Sequence, residues 1–296
     1  METSVAVSPG ARRAFSGLID YAGLFPPAEL AMPQAQAEYV RARSGPHAWM
    51  LGRFIVPLSA LSGAQRNFPG AFSAIAKFSE IESVAALRSE GVAIDSIEIP
   101  LITSDEGEGA LREMLQERRA TLERLGLSDV PVYIEFLRLG ENGLSLESAL
   151  STAAAARFGA KLRCGGITAD AFPTVDDVAR FIGTAVAANV PFKATAGLHH
   201  PVRHLNAASG FVMHGFINIL AAAALAPRVD LAMLTRIVAE EDSRAFTFEP
   251  AAMRWRNERV DLADLTQARE RAFVSYGSCS FAEPVDDLTA LGILAR

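Results

Sequence analysis

AKLRCGG at 160–166 and PFKATAG at 191–197, with what lies between them, decide the fold. Each is a short, mostly apolar run ending in small residues and glycine, as a buried strand does where it opens into a loop. Between them, Thr174 to Ala188 has a helical pattern, with Thr174 as N-cap and Asp176 and Asp177 in the first turn. Strand, helix and strand in that order make a βαβ unit. Its two strands lie parallel, joined by a right-handed crossover.

The alternation extends in both directions. Strand candidates precede the unit at LIDYAGLF (18–25), GRFIVPLSA (52–60), FSAIAKF (72–78), SIEIPLI (96–102) and VPVYIEFL (130–137), and FVSYGSCS (273–280) follows it. Helical patterns fill most of the gaps: 28–43, a stretch after Ser79 with Ser79 and Glu82 as a capping box, 107–125, and Ser145 to Arg157. Eight such units predict a single (β/α)8 TIM barrel domain over 1–296. An open doubly wound sheet is the rival, but no glycine-rich dinucleotide fingerprint follows the first strand.

The interval before the last strand is too long for one helix, so residues 205–270 read as an insertion. It holds an apolar helix at 211–226, a second helix at 228–240, and AFTFEPAAMRWRNERV (245–260), which alternates as a hairpin would. The apolar run falls short of the ~20 residues of a membrane span. It also carries His214 and Asn218, so it reads as a buried or subunit-facing helix.

The 296 residues carry a net charge of −6 and no basic stripe, which argues against nucleic acid and anionic membranes as partners. The first residues, METSVAVSPGARRAF, lack the long apolar core of a signal peptide. Two cysteines, Cys164 and Cys279, are too few for a disulfide framework, so a reducing cytoplasm is the expected setting. Neither has an acid–base partner beside it, and packing is their expected role.

Of 28 basic residues only three are lysines: Lys77, Lys161 and Lys193. A lysine can lose its proton and act as a nucleophile; an arginine cannot. All three fall towards the C-terminal ends of strand candidates, where barrels build their active sites. Lys161 and Lys193 are one βαβ unit apart, hence on neighbouring strands. Two ammonium groups about 6 Å apart repel by about 2.8 kcal/mol at an effective dielectric of about 20, or about two pKa units. Burial adds to that, so one of the pair is a candidate for attack on a carbonyl to form a Schiff base. The plainer reading is that each lysine pairs with a carboxylate and only stabilises the barrel.

The set of motifs resembles deoxyribose-phosphate aldolase and its relatives, class I aldolases built on a (β/α)8 barrel. LIDYAGL places Ile19-Asp20 where that family has Ile-Asp-His-Thr, with Tyr21 in place of the histidine. SIEIPL offers Glu98, and Tyr133-Ile134-Glu135 matches Ile-Ile-Glu. KLRCGG resembles in position the strand bearing the Schiff-base lysine, and Lys193-Ala194-Thr195-Ala196-Gly197 is similar to a following Lys-Ala-Ala-Gly-Gly. The match covers roughly residues 17–200 plus the last strand.

The resemblance implies a lyase that makes or breaks a carbon–carbon bond through a lysine Schiff base, in carbohydrate metabolism and without a cofactor or metal. The substrate would be a small aldehyde or ketone, phosphorylated or not. Lys161 would be the nucleophile and Lys193 the neighbour that tunes it, roles open to exchange. Glu98 would shuttle protons, and Asp20 and Glu135 would hold the lysines. Arg163 would bind a substrate carboxylate or phosphate. Gly165, Gly166, Gly197, His199, His200, Gly277, Ser278 and Ser280 would line the substrate site.

Departures from the family include the pair His199-His200, the insertion, and Glu283 beside the serines of the last loop. Two further readings stand beside this one. A metal-dependent barrel lyase or isomerase would use Glu98, Glu135 and His199 or His200, and a non-catalytic barrel would only bind a small ligand. Assembly into a homo-oligomer is left open by the sequence.

Overall fold

The computed structural model describes residues 7–100, 107–136, 145–166, 168, 171–207 and 210–294. Eight parallel strands form a closed barrel: β1 (Ile19–Tyr21), β2 (Leu51–Pro57), β3 (Phe72–Ile75), β4 (Ile94–Ile99), β5 (Val132–Glu135), β6 (Gly159–Arg163), β7 (Phe192–Thr195) and, after an intervening excursion, β13 (Phe273–Ser278). Their order around the barrel is β1-β13-β7-β6-β5-β4-β3-β2, so neighbours in sequence are neighbours in space and no sheet edge is left open. This is the (β/α)8 TIM barrel expected from the alternation.

Helix α1 (Pro9–Phe15) precedes the barrel, and α2 (Met32–Arg43), α3 (Ile81–Ser89), α4 (Gly107–Arg124), α5 (Leu146–Ala155) and α6 (Val175–Ala187) lie on the crossovers. The deciding unit forms as its signals direct. The Thr174 side chain accepts from Asp177 N at 3.1 Å, and Asp177 accepts from Thr174 N at 3.2 Å, closing the start of α6. Asn189, with φ +55°, turns the chain back towards β7. Helix α4 buries Leu111, Leu115 and Leu122 on one face.

Three local expectations shift. Between β2 and β3 only short 3-10 turns occur (58–60 and 63–67), so 58–60 is not strand. Glu80, not Ser79, precedes α3, and the reciprocal bonding there joins Lys77 and Glu80. Lys77 follows β3 and is exposed rather than at a strand end. The predicted strand ends at 101–102 and 137 lie outside the described residues.

The long interval before the last strand holds a small hairpin, β8 (His204–Leu205) with β9 (Val212–Met213), then α7 (Phe216–Leu225) and α8 (Leu231–Ala239). The hairpin-like stretch is a three-stranded antiparallel sheet: β10 (Phe246–Phe248), β11 (Ala252–Trp255) and β12 (Glu258–Asp261). Helix α9 (Leu262–Arg271) leads back into β13, and α10 (Ala282–Ala290) follows it.

All ten residues of α7 are buried, against α6, α8, α9 and β13, which accounts for its apolar circumference. Asn218 is the exception that proves useful. It accepts from Arg203 N at 3.0 Å and donates to Ile237 O and Glu240 O, closing the end of α8. His214 lies just before α7 with its Nε2 2.9 Å from Pro173 O. Among the described residues no helix is long and apolar enough to cross a membrane.

Candidate active site

Parallel register sets charged residues in one row. Glu135 of β5 pairs with Lys161 of β6, Lys161 with Lys193 of β7, and Lys193 with Ser275 of β13. Residues in register point to one face, here the barrel interior. Aliphatic layers usually fill that space; at this level an ion cluster does.

Lys193 is 1% exposed. Its Nζ donates to Asp20 Oδ2 (2.8 Å), Glu98 Oε1 (2.5 Å) and Ser73 Oγ (3.2 Å), which uses all three N–H groups. The Tyr133 ring lies 5.6 Å away. Lys161 is 5% exposed, with Nζ 2.9 Å from Glu98 Oε2 and 3.5 Å from Glu135 Oε2. Glu98 therefore gives one oxygen to each lysine. The sequence sets repulsion between the two ammonium groups against pairing of each with a carboxylate; the structure places a carboxylate between them.

Burial disfavours the Glu98 charge, but Lys161 and Lys193 outweigh it and hold the carboxyl well below its ordinary 4.5. Burial likewise opposes the Lys193 charge, yet Asp20 and Glu98 hold its ammonium above the ordinary 10.5. A depressed acid contributes stability above its ordinary value and loses it as pH falls through the depressed one. A raised base contributes below its ordinary value and loses it as pH rises through the raised one. The gap in urea stability between wild type and Glu98→Gln is therefore expected to hold steady from about pH 5 to 9 and to narrow below about pH 4.5.

Small residues hold the acids in place. Asp20 accepts from Arg53 N at 2.6 Å and from Ser275 Oγ at 2.8 Å; Glu98 accepts from Ser73 Oγ at 2.8 Å. Gly52 lies against Asp20, and a Cβ there would collide with the carboxylate. Gly52→Ala should cost about 1–3 kcal/mol in urea denaturation, by forcing Asp20 off Lys193. Ser73, Ser275, Gly52 and Tyr133 carried no functional expectation from sequence. Their only signal is small or polar character inside apolar strands.

Arg163 ends β6 two residues beyond Lys161, with its side chain 45% exposed. Its Nε donates to Gly165 O at 3.1 Å, and Nη1 is 3.5 Å from Glu135 Oε1. Gly165 and Gly197 let the loops after β6 and β7 meet: a Cβ on Gly165 would lie 3.0 Å from Gly197 Cα, and Gly197 has φ +68°. A Cβ on Gly166 would crowd Ala171.

Among the described residues the remaining predicted residues make no hydrogen bond or ion pair to either lysine. His199 Nδ1 is 3.1 Å from Glu283 Oε2, and His200 Nδ1 is 2.5 Å from Asp287 Oδ2, so both imidazoles are held by α10. Gly277 pairs with Asp20 across the β1–β13 edge. The Ser278 hydroxyl donates to Ser280 O at 2.6 Å, and Ser280 Oγ accepts from Glu283 N at 3.2 Å. Among the described residues no group of three or more His, Cys, Asp or Glu is arranged to hold a metal ion. Glu98 and Glu135 face lysines instead, and the histidines face α10.

The sequence matches no protein-family model and no curated protein. Among solved structures, the chain is similar to the tetrameric deoxyribose phosphate aldolase from Aeropyrum pernix. The TM-score is 0.52 at 11% identity, over 95% of this chain and 93% of that one. A looser likeness, at a TM-score of 0.38 and 14% identity, links it to lysine/ornithine decarboxylase complexed with cadaverine from Vibrio vulnificus, over 77% of this chain and 57% of that one. That second likeness is too slight to carry an argument. The first shows a shared architecture: this chain folds as the aldolase does, as a closed parallel (β/α)8 barrel.

Proposed function

We propose that the protein is a Schiff-base-forming lyase, a divergent relative of the deoxyribose-phosphate aldolases, acting on a small aldehyde or ketone. The reading takes residues 1–296 as one catalytic domain, with the excursion before β13 as its elaboration. One observation carries it: Lys161 and Lys193 share the two oxygens of a single buried carboxylate, Glu98. A carboxylate that bridges two ammonium groups can accept a proton from one and return it, as a proton relay requires.

Lys161 is the nucleophile on this reading. Among the described residues Lys193 has three polar partners and stays charged, whereas Lys161 has two carboxylate contacts. Glu98 Oε2 takes a proton from Lys161, and the freed amine adds to the carbonyl carbon. The same oxygen returns the proton to the carbinolamine hydroxyl, which leaves as water, and the nitrogen becomes an iminium ion. Lys193 on the other oxygen keeps Glu98 a weak base, so the proton passes through it without settling. The iminium then accepts the electron pair of the breaking carbon–carbon bond as an enamine, and protonation and hydrolysis restore the amine.

Borohydride reduction in the presence of a panel of aldehydes and ketones tests this. The expected result is one reduced adduct per chain, mapped by peptide mass spectrometry to Lys161. Absence of a lysine adduct with every carbonyl compound would end the proposal.

A further inference from the structure

We infer that the substrate is a 2-oxo acid, whose carboxylate Arg163 holds while Lys161 forms the imine at the adjacent carbonyl carbon. This rests on the Schiff-base reading above and names the substrate class for that site. Lys161 and Arg163 lie two residues apart on β6, on the same face, and both approach the Glu135 carboxylate at 3.5 Å. The imine nitrogen and the guanidinium are thus neighbours, as a carboxylate one bond from the imine carbon requires.

The guanidinium is oriented for such a ligand. Its Nε is spent on Gly165 O, which fixes the plane, and Nη2 lies beside Gly166, at 3.6 Å from where a Cβ would stand. Among the described residues the Nη1–Nη2 edge keeps only the long contact to Glu135. A carboxylate can take that edge with two parallel hydrogen bonds, shorter and better aligned than the one it displaces.

Charge distinguishes a carboxylate from a phosphate. Lys161, Lys193 and Arg163 balance Asp20, Glu98 and Glu135, and an iminium keeps the positive charge of the lysine it replaces. A 2-oxo acid adds one negative charge to this neutral set, whereas a phosphate monoester adds about 1.5 to 2. The other end of the site offers a phosphate little. Glu283 stands in the first turn of α10, and the Ser278 hydroxyl already donates to Ser280 O.

The covalent step balances. The Lys161 amine adds to C2, the ketone oxygen leaves as water, and the iminium nitrogen carries the charge. Loss of a proton from C3 to Glu98 moves the C–H electron pair into the enamine, ready to add to an aldehyde. The carboxylate on Arg163 takes no part in bond changes.

The test compares pyruvate with its neutral ester, methyl pyruvate, and with glyceraldehyde 3-phosphate, in borohydride trapping on the full chain. Half-saturating concentrations are read by intact-mass spectrometry for wild type, Arg163→Gln and Arg163→Lys. Arg163→Gln should weaken pyruvate trapping relative to methyl pyruvate trapping by about 10- to 100-fold. Arg163→Lys should fall between, because it keeps the charge and loses the fork. Methyl pyruvate trapping reports that the variants still fold.

An unchanged pyruvate-to-ester ratio would overturn the assignment. So would trapping of the phosphorylated aldehyde at lower concentration than pyruvate in wild type. If wild type traps no carbonyl compound, the Schiff-base reading itself falls, an outcome distinct from a failure of selectivity.

Discussion

Lys193→Met is expected to lower the stability of the protein by about 3–5 kcal/mol, the cost of breaking a buried ion pair by removing one partner. The methionine fills nearly the same volume, so the loss is electrostatic rather than a cavity. Asp20 and Glu98 are both almost fully buried, and without the ammonium each loses a buried counter-charge. Glu98, no longer held down by Lys193, would then keep its proton at higher pH. The variant's deficit should therefore shrink as pH falls below about 5, where protonation removes the stranded charge. Urea denaturation from about pH 4 to 8 measures this. A deficit below about 1 kcal/mol at neutral pH would show that the cluster does not depend on Lys193.

Lys161→Arg is expected to abolish the trapped adduct and to lower turnover of any substrate that forms one by at least about 10⁴-fold. The substitution keeps a positive charge beside Glu98 and Glu135, so the electrostatic balance of the barrel survives. What it removes is an amine able to attack a carbonyl, which a guanidinium does not supply. Stability should thus change far less than in Lys193→Met, while chemistry is lost. The contrast between the two variants separates the residue that reacts from the one that holds. An adduct that persists in Lys161→Arg and maps to Lys193 would exchange the two roles.

Much of the barrel was legible because its strands are short apolar runs bounded by glycine, with helices between that carry their own caps. The Thr174–Asp177 cap and the turn at Asn189 are local, and local signals survive in one dimension. The lysines were legible through rarity: three among 28 basic residues, two of them at strand ends. The supporting shell was not. Ser73 meets Glu98 from 25 residues away and Lys193 from 120, and Ser275 meets Asp20 from 255. A serine inside an apolar run looks the same whether it holds a catalytic acid or merely fills space.

His199 and His200 are expected to line the substrate site, and the structure pairs both with acids of α10. Glu283 and Asp287 stand one helical turn apart there and meet the two imidazoles in turn. That spacing was visible in the sequence, though nothing local linked it to the histidines. The divided sheet of the β7–β13 excursion was under-read for a related reason. A two-strand alternation was evident, and the third strand appears only once β12 pairs with β11.

The neutrality of the cluster constrains how this barrel can change over evolutionary time. A single buried member cannot drift alone, since each lost ion strands another in the buried interior at several kcal/mol. Substitutions there must come in compensating pairs, an acid with a base, within a short span of generations. Descendants that lose the cluster should therefore show joint replacement, such as Asp20 and Lys193 both giving way to aliphatic residues. Descendants that keep it should hold all six ionisable positions together, even where the rest of the chain has diverged beyond recognition.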